Sequence, residues 1–282
     1  MPRIELTPGT IEYEDTGGGG PVVVLLHGLL QNATVWRKIV PALSPTHRVI
    51  TPTLPYGGHR IPMDPSVPLG PDAVNDLVVE FVERLGLRDV TLVESDCGRA
   101  QTVAARRPDL LARLVLISCE AFDNYPPALP GKMLVFACRT PGVLPLLVRM
   151  MGLGFVRHGP TGLGALVRRR IPDDIVDGWW HGLRTDPAIR ADFRRYGRAV
   201  RGSELLEAVP GLRAFDKPAL VVWGADDRMM PREHGSRLAA LLPGARLVVI
   251  DDSGTLVQED QPQRLIAELT GFLAESTPPG VP

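Results

Sequence analysis

The chain has 282 residues, with 31 Lys+Arg against 32 Asp+Glu and a formal net charge of −1. That length holds one large α/β domain, or a core with an inserted lid, and buries a sizeable core in either case. The balanced charge leaves no electrostatic footprint for nucleic acid or for an anionic membrane, so neither is expected as a partner.

The 3 cysteines, Cys97, Cys119 and Cys138, are odd in number and irregularly spaced. This argues against a disulfide scaffold and against a zinc site. The first residues, Met1-Pro2-Arg3-Ile4-Glu5, hold no apolar run of signal-peptide length. A reduced, cytoplasmic setting is the expectation. The most apolar long stretch, residues 140–156, contains Pro141, Pro145 and Arg149. It is too short and broken to span a bilayer, and it reads as a lid element lining a pocket.

In chain order, residues 3–6 and 10–15 read as strands, followed by a third over 21–26. Val22-Val23-Val24-Leu25-Leu26 is a continuous apolar run, as a strand buried on both faces requires. The glycines at 17–20 precede a strand and not a helix, the reverse of a phosphate-cradling loop. They read as a flexible turn. A helix is predicted over 34–43 and a strand over 48–52. Residues 71–85 carry Val74, Leu77, Val78, Phe81, Val82 and Leu85 at helical spacing and stop at Gly86. A buried strand over 90–93, a helix over 98–107 and a strand over 114–118 follow. Two more strands, 220–223 and 246–250, each precede a helix. This alternation implies a parallel sheet wrapped by helices. Between residues 122 and 215 it stops. That segment is rich in Arg, Pro, Gly and aromatics, with helical character near 189–200. The expected organisation is therefore a core of 1–121 and 216–282 with an inserted, mainly helical cap over 122–215. The Pro/Gly-rich tail, 276–282, reads as frayed.

Val93-Glu94-Ser95-Asp96-Cys97-Gly98 reads as a strand running into a sharp turn with a reactive side chain at its tip. Three other stretches accompany it in order. They are Leu25-Leu26-His27-Gly28, Trp223-Gly224-Ala225-Asp226-Asp227 and Asp251-Asp252-Ser253-Gly254-Thr255. Over nearly its whole length the chain resembles the α/β-hydrolase superfamily on these motifs. The resemblance implies an α/β fold with a mostly parallel twisted sheet. Gly98 two positions beyond the tip places Asp96, and not Ser95, at the tip. Aspartate there resembles the haloalkane dehalogenase and epoxide hydrolase branch, in which the carboxylate attacks an alkyl carbon and forms an ester. The resemblance further implies an oxyanion hole from the backbone N–H groups of Leu29 and Cys97. It gives Asp227 as the triad acid by the Gly-x-x-Asp spacing. Asp96 also has a plainer reading as a cap of the helix that follows.

The departures carry as much information. Thr255 stands where the family has histidine, and its hydroxyl has no useful pKa near neutrality. An ester on Asp96 would lack the base that activates water. Leu29 and Cys97 replace the Asn and Trp of a dehalogenase halide clamp, and Leu30 replaces the proline of the epoxide hydrolase His-Gly-x-Pro pattern. Of the 6 histidines, His27 reads as structural, bonding backbone beside the oxyanion loop. His59 lies on a loop directed to the cavity rim, His158 and His181 fall in the cap, and His47 and His234 read as surface residues. Glu94 ends an apolar strand, where an unpaired carboxylate is expensive. Pairing with a cap arginine is the favoured explanation, and an acid–base network with Asp96 the other. Tyr125, Trp179, Trp180, Tyr196, Met150 and Met151 are candidate pocket lining, or ordinary cap packing. Tyr125 and Tyr196 also resemble the cap tyrosines that donate to an epoxide oxygen. Arg168-Arg169-Arg170 reads as a solvated helix face.

Three functions follow. The first is an enzyme with a degenerate triad in which Asp96 carries out acid/base chemistry on a mid-sized apolar molecule. Isomerisation, elimination, cyclisation and epoxide opening all fit, in specialised metabolism. The second is hydrolysis of an epoxide or alkyl halide through an Asp96 ester. The third is a non-catalytic small-molecule binder. No cofactor or metal is expected, and the chain is expected as a monomer or homodimer.

Overall fold

A computed structural model describes residues 1–275, so the proposed frayed tail lies outside the described residues. Eight strands form one sheet: β1 (Arg3–Leu6), β2 (Gly9–Asp15), β3 (Val22–Leu26), β4 (Arg48–Pro52), β5 (Val90–Asp96), β6 (Leu111–Cys119), β7 (Ala219–Gly224) and β8 (Ala245–Ile250). Their order is β1-β2-β4-β3-β5-β6-β7-β8. β1 and β2 pair antiparallel, as do β2 and β4; the remaining pairs are parallel. The all-aliphatic β3 sits between β4 and β5, with Val23 to Leu26 wholly buried. Helices cover both faces of such a sheet, so alternation of polar and apolar residues would be out of place there.

The helix Pro71–Arg84 starts with proline in its first turn and is followed by Gly86 at φ +63°. Both are the boundary signals seen in the sequence. The helix predicted over 34–43 is instead broken in two. A short turn of helix, Ala33–Trp36, is capped by Asn32, whose side chain accepts from the Thr34 amide at 3.0 Å. A second, Val40–Leu43, follows. Pro41 lacks an amide and its ring crowds the carbonyl four residues back, so one continuous helix cannot run through it.

Between β6 and β7 the described residues form helices and no strand. The longest are Ala128–Arg139, Val143–Met150, Asp173–Thr185 and Pro187–Ala199. We refer to this segment as the cap. Helix Ala128–Arg139 packs on Pro187–Ala199, where Gly197 faces Cys138 so closely that a Cβ would lie 2.5 Å from its sulfur. Among the described residues no helix is long and apolar enough to cross a membrane.

Candidate active site

β5 delivers Asp96 to the C-terminal edge of the sheet, the edge at which α/β proteins place ligands. Asp96 has φ +75°, in the left-handed region that non-glycine residues rarely adopt. A strained turn of this kind marks the tip of a strand-to-helix elbow. The helix Arg99–Arg106 follows at once. Gly28 underlies the tip: a Cβ there would meet Asp96 Oδ2 at 1.9 Å, so only glycine lets the two loops approach. Gly98 has a similar duty, since a Cβ would strike Leu205 at 2.6 Å.

Asp96 is 7% exposed and accepts a hydrogen bond from Gln31 Nε2 at 3.2 Å. Burial pushes its pKa up to about 7, and the neighbouring Asp227 carboxylate adds to the rise. The Leu29 amide opposes both by favouring the anion. That amide thus bears on Asp96 itself. The Cys97 amide donates to the Ser95 carbonyl at 3.0 Å. Of the two amides expected to form an oxyanion hole, Leu29 thus acts on Asp96 and Cys97 donates to its own strand end. Sharp turning at the elbow brings the Cys97 N–H back onto its own strand end.

Asp227 lies beyond β7. Its Oδ1 accepts from Thr255 Oγ1 at 2.7 Å and from the Met229 and Met230 amides at 2.9 Å each. Oδ2 is buried without a hydrogen bond. Burial raises the Asp227 pKa, and these donors together with the Ser118 hydroxyl hold the rise down. The adjacent Asp226 instead turns outward to Arg168 at 3.6 Å. Thr255 is fully buried and bonded to Asp227, with no recorded bond to Asp96.

A cavity of about 200 Å³ lies between the elbow and the cap. Asp96, Glu120, Tyr125, Trp180 and Tyr196 line it, with Leu29, Leu30, Met150 and Met151 among its many apolar walls. Neither Asp227 nor Thr255 lines it, and no histidine does.

Several expectations are corrected by these positions. Trp179 donates from Nε1 to Thr34 Oγ1 at 2.8 Å and packs outside the cavity, unlike its neighbour Trp180. His59 does not reach the cavity rim; it is buried, with Nε2 3.3 Å from Asp192 Oδ2. His181 is exposed, while His234 is buried and stacks edge-on to Phe122. His27 has Nδ1 2.8 Å from the Gly28 carbonyl and Nε2 accepting from the Leu54 amide at 2.8 Å. Burial depresses its pKa to about 4, so it stays neutral and serves the backbone. Ser95 donates to Gln258 at 3.1 Å, away from the cavity.

Glu94 pairs with no cap arginine. Its carboxylate accepts from the Arg99 and Ala100 amides at 2.8 and 2.6 Å, the free N–H groups of the helix after the elbow. Burial still pushes its pKa up to about 8, against the pull of the Arg99 guanidinium. Sequence reading missed Glu120 and Arg99. Glu120 follows β6 and lines the cavity; Arg99 is fully buried behind it. The signal available was charge in a buried context: Glu120 directly after Leu114–Cys119, and Arg99 directly after the elbow glycine.

Comparison with known proteins agrees with this architecture. A family model described as the alpha/beta hydrolase fold matches residues 21–262. An uncharacterized hydrolase of Bacillus subtilis is 24% identical over 259 residues, covering 90% of each chain. A haloalkane dehalogenase of Mesorhizobium japonicum is 27% identical over 287 residues, covering 97% of this chain and 91% of its own. A crystal structure of an ancestral haloalkane dehalogenase superposes with TM-score 0.80 at 22% identity, covering 97% of this chain and 98% of that one. With its eight-stranded, mostly parallel sheet and its elbow after β5, the chain belongs to the alpha/beta hydrolase fold family.

Proposed function

We propose that the protein is an enzyme in which Asp96 acts as a general acid/base on a mid-sized, largely apolar molecule, without hydrolysis. The observation that carries this reading is the composition of the cavity wall. Asp96 faces an apolar cavity, and no histidine lines it. A carboxyl group with a pKa of about 7 divides its population between acid and base near neutrality, the condition under which proton transfer is most effective. The same group needs no ester and no water-activating base. Thr255 gives its hydrogen bond to Asp227, and Asp227 stays behind the cavity wall as a charge that keeps the Asp96 proton in place. Isomerisation, elimination, cyclisation and epoxide opening share this requirement.

A second reading, ester formation at Asp96, is favoured by one observation: a relative of 27% identity is named a haloalkane dehalogenase. Intact-mass analysis separates the two. After incubation with alkyl halides and epoxides, an acid/base Asp96 leaves the protein mass unchanged. A stable adduct on Asp96, absent in Asp96→Asn, would sink the non-hydrolytic reading.

A further inference from the structure

The near-zero charge of the whole chain conceals a strong local bias in the cap. Residues 124–172 contain no Asp or Glu and seven Lys or Arg. Four of these cations are engaged by carboxylates from outside the stretch. Arg157 meets Asp173 and Asp177, Arg168 meets Asp226, Arg169 meets Asp252, and Arg170 meets Asp173. Lys132, Arg139 and Arg149 are exposed, and among the described residues none of the three has a carboxylate partner. Arg139 donates to the Val200 carbonyl and keeps its charge.

Exposed apolar surface is concentrated in the same stretch. Of the nine large hydrophobic side chains that are exposed among the described residues, seven fall between 129 and 155. Leu129, Met133 and Phe136 recur at helical spacing along Ala128–Arg139, with Lys132 and Arg139 flanking them. Leu146, Arg149 and Met150 repeat the pattern on Val143–Met150, and Leu153 and Phe155 follow it. The two helices pack on each other. Met133 and Met150, 42% and 41% exposed, also line the cavity that holds Asp96. The cavity therefore reaches the surface on this face.

We infer that this face of the cap docks on the surface of an anionic phospholipid bilayer, with its apolar side chains among the acyl chains and Lys132, Arg139 and Arg149 at the headgroups. A contiguous exposed apolar face with cations beside it is the pattern of helices that lie in a membrane interface. Helices of 12 and 8 residues are far shorter than a bilayer core of about 30 Å, so they lie on it and do not span it. Apolar exposure alone would equally seat a second copy of the chain, and charge decides between the two. In a two-fold dimer the patch meets itself, which brings both sets of unpartnered cations together with no carboxylate to offset them. An anionic lipid surface supplies the missing countercharge. The cavity mouth then opens onto the bilayer, and an apolar ligand reaches Asp96 from lipid without crossing water. The docking does not depend on the acid/base reading of Asp96.

Co-sedimentation of the full chain with vesicles tests this. Vesicles of phosphatidylcholine and phosphatidylglycerol in equal parts should bind the protein about a hundredfold more tightly than phosphatidylcholine alone, the product of about fivefold for each of three cations. High salt should erase most of that preference. The triple variant Phe136→Ser/Leu146→Ser/Phe155→Ser changes side chains that are 61%, 58% and 79% exposed and lie outside the cavity lining. It should lose vesicle binding with its melting temperature nearly unchanged. Lys132→Gln/Arg149→Gln should cut the anionic preference to less than about tenfold. Should the triple variant fail to fold, the charge pair carries the test alone. Equal binding to the two vesicles, binding to neither, or a preference that the charge pair leaves intact overturns the docking. So does a dimer, seen by sedimentation velocity without lipid, that the triple variant dissociates, because the face would then belong to a second copy.

Discussion

Two carboxylates sit a short way apart behind the cap, and their surroundings differ sharply. The Asp227 corner is closed: one oxygen collects three donors, and the residue stands behind the cavity wall. The Asp96 elbow is open: the carboxylate faces the cavity with Gln31 as its side-chain donor. Burial raises the pKa at both sites; at the first, several donors that favour the anion hold the rise down, whereas at the second the pKa is pushed up to about 7. Under the acid/base reading proposed above, the contrast separates a carboxylate tied up by donors from one that is placed to exchange its proton with a ligand. Thr255 sharpens the division. A threonine bonded to Asp227 has no second ring nitrogen to offer Asp96, so the two acids communicate through space.

The largest effect is expected at the elbow. Asp96→Asn keeps shape and hydrogen bonding but cannot take a proton. Turnover should fall by about 10²–10⁴, the usual contribution of general acid/base catalysis, while ligand affinity measured by calorimetry stays within a few-fold. Comparable losses in both would break the contrast, because Asp96 would then be a binding group. The same substitution has a stability signature. A carboxyl whose pKa is raised on folding favours the fold fully below its unfolded value of 3.8, and that contribution is lost as pH rises through about 7. Above that range Asp96→Asn should melt higher than the parent, and near pH 4 the difference should shrink or reverse. A melting difference that does not change with pH would count against a perturbed Asp96.

Next in size is the closed corner. Thr255→Val removes one of the donors to Asp227 and should cost about 1 kcal/mol of stability in chemical denaturation, with turnover nearly intact. A loss of turnover as large as that of Asp96→Asn would place Thr255 in the chemistry and erase the division. Restoring histidine at this position is the converse test. A gain in hydrolysis of alkyl halides would favour ester formation at Asp96.

Much of this arrangement was legible in the chain. The all-aliphatic Val22–Leu26 and the run ending at Asp96 could only be buried parallel strands, and each motif falls at a strand end where the family spacing places it. Gly98 identified the tip correctly as the residue of positive φ. Long-range packing was not legible. Local sequence cannot say that Glu94 turns back to the amides of its own following helix, nor that Trp179 faces Thr34 while Trp180 faces the cavity. Adjacent helix residues point in directions about 100° apart, so the helix's rotation decides which one is used. Glu120 and Arg99 were missed for a related reason. Each is an ordinary charged residue until the fold buries it among groups distant in sequence.

The smallest effect tests the contrast most finely. Gln31 donates to Asp96 Oδ2 at 3.2 Å while its own Oε1 accepts from the Gly28 amide at 3.3 Å. A donor of this kind favours the anion, so its removal should raise the pH at which Asp96 loses its proton. Gln31→Ala should therefore move the midpoint of the pH–rate profile upward by less than about one unit, with the plateau rate changed little. Asp227→Asn should move it the other way, since a neighbouring carboxylate is what helps hold the Asp96 proton. Opposite displacements from two substitutions that leave Asp96 in place would tie the profile to that one carboxyl. Displacement in the same direction from both would assign the titration to a different group.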